Sequence, residues 1–325
     1  MKYALVSGGA GFIGSHLCKK LLENNIFVIC LDNFLTGREE NIEQFNNNGN
    51  FVFINHDVIE RVGGILSPFE SIDYIFHLAS PASPNEKSKK SYMSYPIETL
   101  LVNSMGTYNL LNIAKKANAR FLFASTSEIY GDPEVSPQKE SYFGNVNSAG
   151  PRAVYDEGKR FGEAMTMAYY RKFGVDVRIP RIFNTYGENM REDDGRVVSD
   201  FIVHSLKREP ITIFGDGNQT RSFCYVSDLI EGLYEFMIRD GLSGEIINLG
   251  NPSEYTIKEL ALKVKELTGS TSEIVYDKLP EDDPKQRKPD ISKAKKLLDY
   301  SPKVNADEGL KKTIEYFKKI IWKLL

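Results

Sequence analysis

Tyr3-Ala4-Leu5-Val6-Ser7-Gly8-Gly9-Ala10-Gly11-Phe12-Ile13-Gly14 begins as an apolar strand and runs straight into a glycine-spaced turn. Gly8, Gly11 and Gly14 fall three apart, and the residues from Ser15 to Asn24 continue as an amphipathic helix. Glycine lets a backbone turn tightly and approach a pyrophosphate closely, and the helix N-terminus that follows favours negative charge. The glycine spacing alone is a weak signal; the strand before it and the helix after it give it weight.

Working outward, Ile26 to Leu31, Phe51 to Ile54, Tyr74 to Leu78, Phe121 to Ala124 and Val175 to Ile179 read as further strands. Their continuous apolar character suits a parallel sheet covered on both faces. Helical patterns at Thr99 to Ala117 and Tyr155 to Phe173 separate them. The alternation predicts an α/β chain, a Rossmann-type doubly wound sheet. Past residue 183 the character changes, with Pro210, Gly215-Asp216-Gly217 and Pro280-Glu281-Asp282-Asp283-Pro284 set among helical patterns at Ser227 to Ile238, Thr256 to Thr268, Ile291 to Leu298 and Ala306 to Leu325. The expectation is a dinucleotide-binding domain over 1–183 and a smaller, loop-rich, substrate-binding domain over 184–325. A strand near 245–250 returns to the first sheet.

Asp32 ends the second strand, where a carboxylate accepts hydrogen bonds from an adenosine ribose and repels a 2′-phosphate. That favours NAD over NADP, with Arg38 nearby as the one opposing feature. Asp57 and Val58 follow the third strand, where an adenine would lie. The chemistry is carried by Thr126-Ser127-Glu128-Ile129-Tyr130-Gly131 and by Tyr155-Asp156-Glu157-Gly158-Lys159. Tyr155 and Lys159 are one helical turn apart and share a face. A tyrosine at its ordinary pKa of about 10 is a poor base near neutrality, but an adjacent ammonium and a nicotinamide cation favour the phenolate. Thr126 shares the substrate hydroxyl proton.

These segments resemble the extended short-chain dehydrogenase/reductases that act on sugar nucleotides, and among them the UDP-glucuronate decarboxylase (UDP-xylose synthase) family. The resemblance rests on Leu31 to Arg38, His77-Leu78-Ala79-Ser80-Pro81-Ala82-Ser83-Pro84, Ala124 to Pro133, Arg181 to Gly187, Asp194 to Ser199, Gly215 to Phe223 and Asp282 to Asp290. It implies a cofactor site from Gly8, Gly11, Phe12, Ile13, Gly14, Asp32, Asn33, Asp57, Val58, Leu78, Ala79, Tyr155 and Lys159. It implies Thr126, Glu128, Tyr155, Lys159 and Arg287 as catalytic, with Arg287 gripping the sugar carboxylate and Glu128 placing water or a proton. Asn184 and Arg221 would meet the diphosphate, Arg196, Val197 and Ser199 the uridine, and Phe214 or Tyr225 would stack on uracil. The implied reaction oxidises C4 of UDP-glucuronate, loses CO2 and returns the hydride to give UDP-xylose. Two departures stand out. Asn147-Ser148-Ala149-Gly150-Pro151-Arg152 replaces Asn-Pro-Ile-Gly-Pro-Arg, and the loop from Asn85 to Lys90 is longer. Both are expected to border the sugar pocket, although Lys87 to Lys90 on their own read as a short basic surface loop.

Competing chemistries share the first oxidation. A 4,6-dehydratase uses an aspartate where Ser127 stands, and a 4-epimerase usually lacks an acid at Glu128. A non-enzymatic NAD-binding sensor has no need for Thr126, Tyr155 and Lys159 together.

Composition bounds the rest. The chain has 325 residues, is 41% hydrophobic and 26% charged, and carries a net charge of -3. That balance gives no electrostatic support to a nucleic-acid or anionic-membrane partner. Four histidines show no metal-ligand spacing. Cys18, Cys30 and Cys224 are odd in number and read as buried thiols, which suits a reducing cytoplasm. Met1-Lys2 leads directly into a strand, so no signal peptide is expected. The apolar tail Ile320-Ile321-Trp322-Lys323-Leu324-Leu325 is too short for a span and reads as a helix packed on the body. A homodimer is expected through the helices at Thr99 to Ala117 and Tyr155 to Phe173.

Overall fold

The computed structural model describes residues 1–69 and 71–324; Leu325, the end of the expected last helix, lies outside them. In chain order the first half runs β1 (Lys2–Ser7), α1 (Phe12–Glu23), β2 (Ile26–Asp32), β3 (Phe51–Asn55), β4 (Tyr74–His77), α2 (Pro96–Leu101), α3 (Thr107–Ala117), β5 (Arg120–Phe123), β6 (Ser125–Thr126), α4 (Ala153–Phe173) and β7 (Val177–Ile182). It continues with β8 (Thr185–Tyr186), α5 (Val197–Lys207), β9 (Ile211–Phe214), β10 (Thr220–Ser222), β11 (Cys224–Tyr225), α6 (Val226–Ile238) and β12 (Glu245–Leu249). The chain closes with β13 (Glu254–Thr256), α7 (Ile257–Thr268), β14 (Ile274–Asp277), β15 (Gln286–Arg287), α8 (Ser292–Leu298) and α9 (Ala306–Leu324).

The main sheet has the order β12-β7-β5-β4-β1-β2-β3, with β6 beside β7, and its pairings are parallel. β1 therefore lies between β2 and β4, the point where the winding reverses. Leu5, Val28, Ile29, Ile75, Phe121 and Val177 are fully buried, which is why these strands read as unbroken apolar runs. Helices cover both faces. Leu17, Cys18 and Leu21 bury the inner stripe of α1, each leucine contributing roughly 1.5–3 kcal/mol. β7 begins two residues later and ends three later than the sequence suggests, because Gly174 ends α4 in a left-handed conformation and Val175-Asp176 form the link.

Three features went unread in the sequence. Helix α5 lies where a binding segment was expected, its apolar Phe201, Ile202 and Val203 hidden among polar neighbours. Small sheets β13-β10-β15, β11-β8 and β14-β9 order the second half, which is less irregular than its turn residues imply. A π turn at Val102–Gly106 joins α2 to α3. α9 packs through Leu310, Ile314, Phe317 and Ile321, while Trp322 stays largely exposed. No described helix is long and apolar enough to cross a membrane.

Candidate active site

The carboxyl ends of β1, β2, β4, β6 and β7 open onto one cleft of about 690 Å³ at the sheet's reversal point. Apart from Ser199 and Tyr225, every residue singled out above as catalytic, cofactor-binding or substrate-binding lines it. The glycine loop leaves no room for side chains. A Cβ on Gly14 would sit 2.0 Å from the Gly8 carbonyl oxygen, and one on Gly8 (φ +77°) would sit 2.7 Å from the Ala79 amide nitrogen. The first turn of α1 has no side-chain cap, so its amide donors remain for an anion. Asp32 accepts from the Ala10 amide (3.0 Å) and the Phe34 amide (2.8 Å), one on each oxygen. Each oxygen keeps an acceptor position, as a ribose diol requires. Asn33 donates to Asp57 at 2.9 Å, and Val58 is buried behind them. Uncapped donors for a pyrophosphate and a carboxylate for a ribose fit a dinucleotide. Arg38 does not oppose NAD: it is committed to Glu192 (3.0 Å) and the Tyr316 hydroxyl (2.8 Å) in the second half of the chain.

Thr126, Tyr155 and Lys159 stand on the next wall. β6 carries Thr126, α4 carries Tyr155 and Lys159, and all three are buried. The Tyr155 ring stacks on Tyr92, with centroids 4.9 Å apart and planes 4° from parallel. Lys159 donates to the Ala124 carbonyl at 2.8 Å, and burial pushes its pKa down to about 7. Burial pushes the Tyr155 hydroxyl above its ordinary range, and hydrogen bonding with Thr126 and the charge of Arg196 pull the other way. In the free protein, burial works on both groups toward their neutral forms. His77 ties this wall to the sheet, its Nδ1 facing the Ser7 hydroxyl (2.9 Å) and its Nε2 facing the Val102 carbonyl (3.2 Å). Burial lowers its pKa to about 3, so the neutral ring accepts from Ser7 and donates to Val102.

Glu128 sits in the 3-10 turn Ser127–Tyr130, whose first residues Thr126 caps. Each of its oxygens accepts from a different arginine, Oε1 from Arg287 and Oε2 from Arg152. Burial pushes the carboxyl up, but the two guanidinium groups outweigh it and hold Glu128 well below the usual carboxylate range. Arg152 also reaches Asp283 (3.4 Å), which accepts from Arg221 at 2.8 Å. An alternating ladder of charge thus joins Arg287, Glu128, Arg152, Asp283 and Arg221. Asp156 lies under it with Oδ1 buried and unpartnered; burial, then the Glu128 charge, raises its pKa to about 8. Arg152, Asp283 and Tyr92 were not read as site residues. Arg152 and Asp283 fall inside quoted motifs, so proximity to Tyr155 and Arg287 was the available signal; nothing local marks Tyr92.

The second half supplies the far wall. Arg196 forks onto Asp194 (2.6 and 2.8 Å) and lies over the Phe12 ring, with Val197 opening α5 beside it. Asn184 follows β7. Phe214 lines the cleft, whereas Tyr225 does not; its hydroxyl donates to Glu188 (2.7 Å) and its ring packs on Tyr186. Tyr225 is therefore withdrawn as a stacking partner for uracil. The loop from Asn85 to Lys90 is also more than solvated surface. Ser88 is buried and donates to Asp193 (2.7 Å), Asn85 donates to Gly195 (3.2 Å), and Lys90 donates to Leu35 (2.7 Å). It straps the two halves together across the cleft. Ser148 and Ala149 are exposed and do not line the cleft, so only the longer loop borders it.

Residues 4–250 match the NAD dependent epimerase/dehydratase family. UDP-glucuronic acid decarboxylase 1 of Xenopus tropicalis is 51% identical over 318 residues, 98% of this chain and 72% of the frog protein. UDP-glucuronic acid decarboxylase 1 of Arabidopsis thaliana is 50% identical over 314 residues, 97% of this chain and 69% of the plant protein. Among solved structures, the UDP-glucuronic acid 4-epimerase of Bacillus cereus in complex with UDP-glucuronic acid and NAD is 32% identical. It superposes with a TM-score of 0.87, covering 98% of this chain and 99% of its own.

Proposed function

The chain belongs to the NAD dependent epimerase/dehydratase family, and from that premise we propose that it converts UDP-glucuronate to UDP-xylose and CO2. The observation that carries this reading is one cleft in which Thr126, Tyr155 and Lys159 face a Glu128–Arg287 pair. Residues 1–183, with the strand at 245–249, hold the cofactor, and residues 184–325 hold the nucleotide sugar. When bound, NAD supplies the acceptor for the C4 hydride and gives that hydride back at the end, so it is not consumed. Gly8, Gly11 and the first turn of α1 hold its pyrophosphate, and Asp32 its adenosine ribose.

Tyr155, as the phenolate that the Lys159 charge favours, takes the proton of the C4 hydroxyl, which Thr126 orients. The C4 ketone is β to the C6 carboxylate, so the C5–C6 pair of electrons flows into the ketone as CO2 leaves. Arg287 grips that carboxylate through its fork of donors. Glu128 takes up a proton from solvent and passes it to C5, and Tyr155 returns its proton to the C4 oxygen. Arg221 and Asn184 meet the diphosphate, and Arg196 and Val197 border the uridine. Incubating the protein with UDP-glucuronate and NAD tests the reading: CO2 and UDP-xylose in the NMR spectrum support it. UDP-galacturonate with the carboxylate intact reassigns it to 4-epimerisation.

The protein acts as a homodimer in this reading. Ile97, Leu101, Met105 and Tyr108 form an exposed apolar stripe along α2, the π turn and α3, with Phe161 exposed on the neighbouring α4. A partner's equivalent helices would cover it. A cytoplasmic location accords with three buried, unpaired cysteines.

A further inference from the structure

Arg287 enters the reaction with a conflict. The guanidinium that must meet the sugar carboxylate is already paired with Glu128 through Nη1 and with the Gly131 carbonyl through Nη2 (3.1 Å). Its Nε is buried and has no partner. Pulling Arg287 away from a buried carboxylate is costly when nothing else neutralises that carboxylate. Here something does. Glu128 is held on its other oxygen by Arg152, and Arg152 is braced from behind by Asp283, itself held by Arg221. Arg152, Arg221 and Arg287 are nearly fully buried, and Glu128 and Asp283 only slightly exposed. The ladder therefore has three guanidinium groups and two carboxylates: it is one carboxylate short, and the unfilled donor is on Arg287.

We infer that Arg152 is a positioning residue, anchoring Glu128 by one oxygen so that Arg287 can transfer from Glu128 to the carboxylate of the substrate. The inference rests on the proposed decarboxylation and extends it to a residue in contact with Glu128. Before substrate arrives, Glu128 is clamped on both sides and too weakly basic to handle a proton. Once the substrate carboxylate draws Arg287 away, Oε1 is released while Oε2 stays fixed on Arg152. The freed oxygen becomes more basic, at a fixed place, in the step that needs a proton at C5. A substrate without a carboxylate leaves the clamp shut. The device thus distinguishes UDP-glucuronate from neutral nucleotide sugars by what the substrate does to the ladder, in addition to what it contacts.

The test compares two reactions in Arg152→Met and Arg152→Lys, each loaded with NAD and measured beside wild type. One is turnover of UDP-glucuronate. The other is single-turnover reduction of NAD by UDP-xylose, which has the C4 hydroxyl and no carboxylate. Arg152→Met should lower kcat for UDP-glucuronate about 100-fold, within the range for misplacing an acid–base group, and slow the UDP-xylose reaction less than about threefold. Arg152→Lys keeps one charge without the fork and should recover about tenfold of the loss. UDP-glucuronate turnover near wild type in Arg152→Met overturns the assignment, and so does an equal loss of both reactions in Arg152→Lys. A failure of the underlying reading appears separately, as wild-type protein that releases no CO2 from UDP-glucuronate.

Discussion

At the residue scale, the chemistry depends on groups whose charges the protein suppresses until they are needed. Tyr155 is stacked and buried, and burial favours the neutral forms both of its hydroxyl and of Lys159 beside it. Tyr155→Phe keeps the ring and its stacking on Tyr92 while removing the oxygen proposed to take the C4 proton. It should bind NAD as wild type does and lose about 10²–10⁴ in kcat; turnover near wild type would exclude Tyr155 as the base. Asp32→Ala should weaken NAD about tenfold or more, because it removes a ribose acceptor and releases the Ala10 and Phe34 amides that shape the loop. Titration calorimetry measures this, and unchanged affinity would place the ribose elsewhere.

At the scale of the element, the N-terminal turns of α4 show what function costs. Asp156 is buried beside Glu128, with one oxygen unpartnered and its pKa raised from 3.8 to about 8. The sign follows from proton linkage. Between those two values the unfolded chain has released the proton that the folded chain keeps, so this group's contribution to stability falls as pH rises from about 4 to about 8. The charges around it are Glu128, Arg152, Arg287 and Glu157. Asp156→Asn, which keeps the shape without the titration, should therefore be more stable than wild type at pH 8, on the order of 2 kcal/mol. The gain should shrink toward pH 5. Melting temperatures across that range check it, and a gain independent of pH would assign the effect to packing. The same region shows how much the sequence could tell. The glycine spacing, the end of β2 at Asp32 and the Tyr155–Lys159 turn are local patterns, and each line the cleft as read. Arg152, Tyr92 and the strap at Asn85 to Lys90 are brought in by contacts between segments far apart in the chain. Periodicity carries no trace of such contacts. Tyr225 failed for the complementary reason: an aromatic in a binding motif looks the same whether it faces ligand or core.

At the scale of the whole molecule, the parallel sheet sets the plan. Its reversal between β2 and β4 collects the carboxyl ends of five strands around one cleft, and the second half closes that cleft from the other side. The exposed stripe at Ile97, Leu101, Met105 and Tyr108 is the face proposed to pair with a second copy of the chain. Met105→Glu should turn a dimer into a monomer by light scattering, at a mass near 36.8 kDa; an unchanged mass would move the interface elsewhere. The central claim is that a single bound cofactor takes and returns the C4 hydride around the loss of CO2. Running the reaction on UDP-glucuronate in D2O tests it most directly. The account predicts UDP-xylose carrying solvent deuterium at C5 and protium at C4. A product that keeps its carboxylate, or one with solvent deuterium at C4, would contradict it.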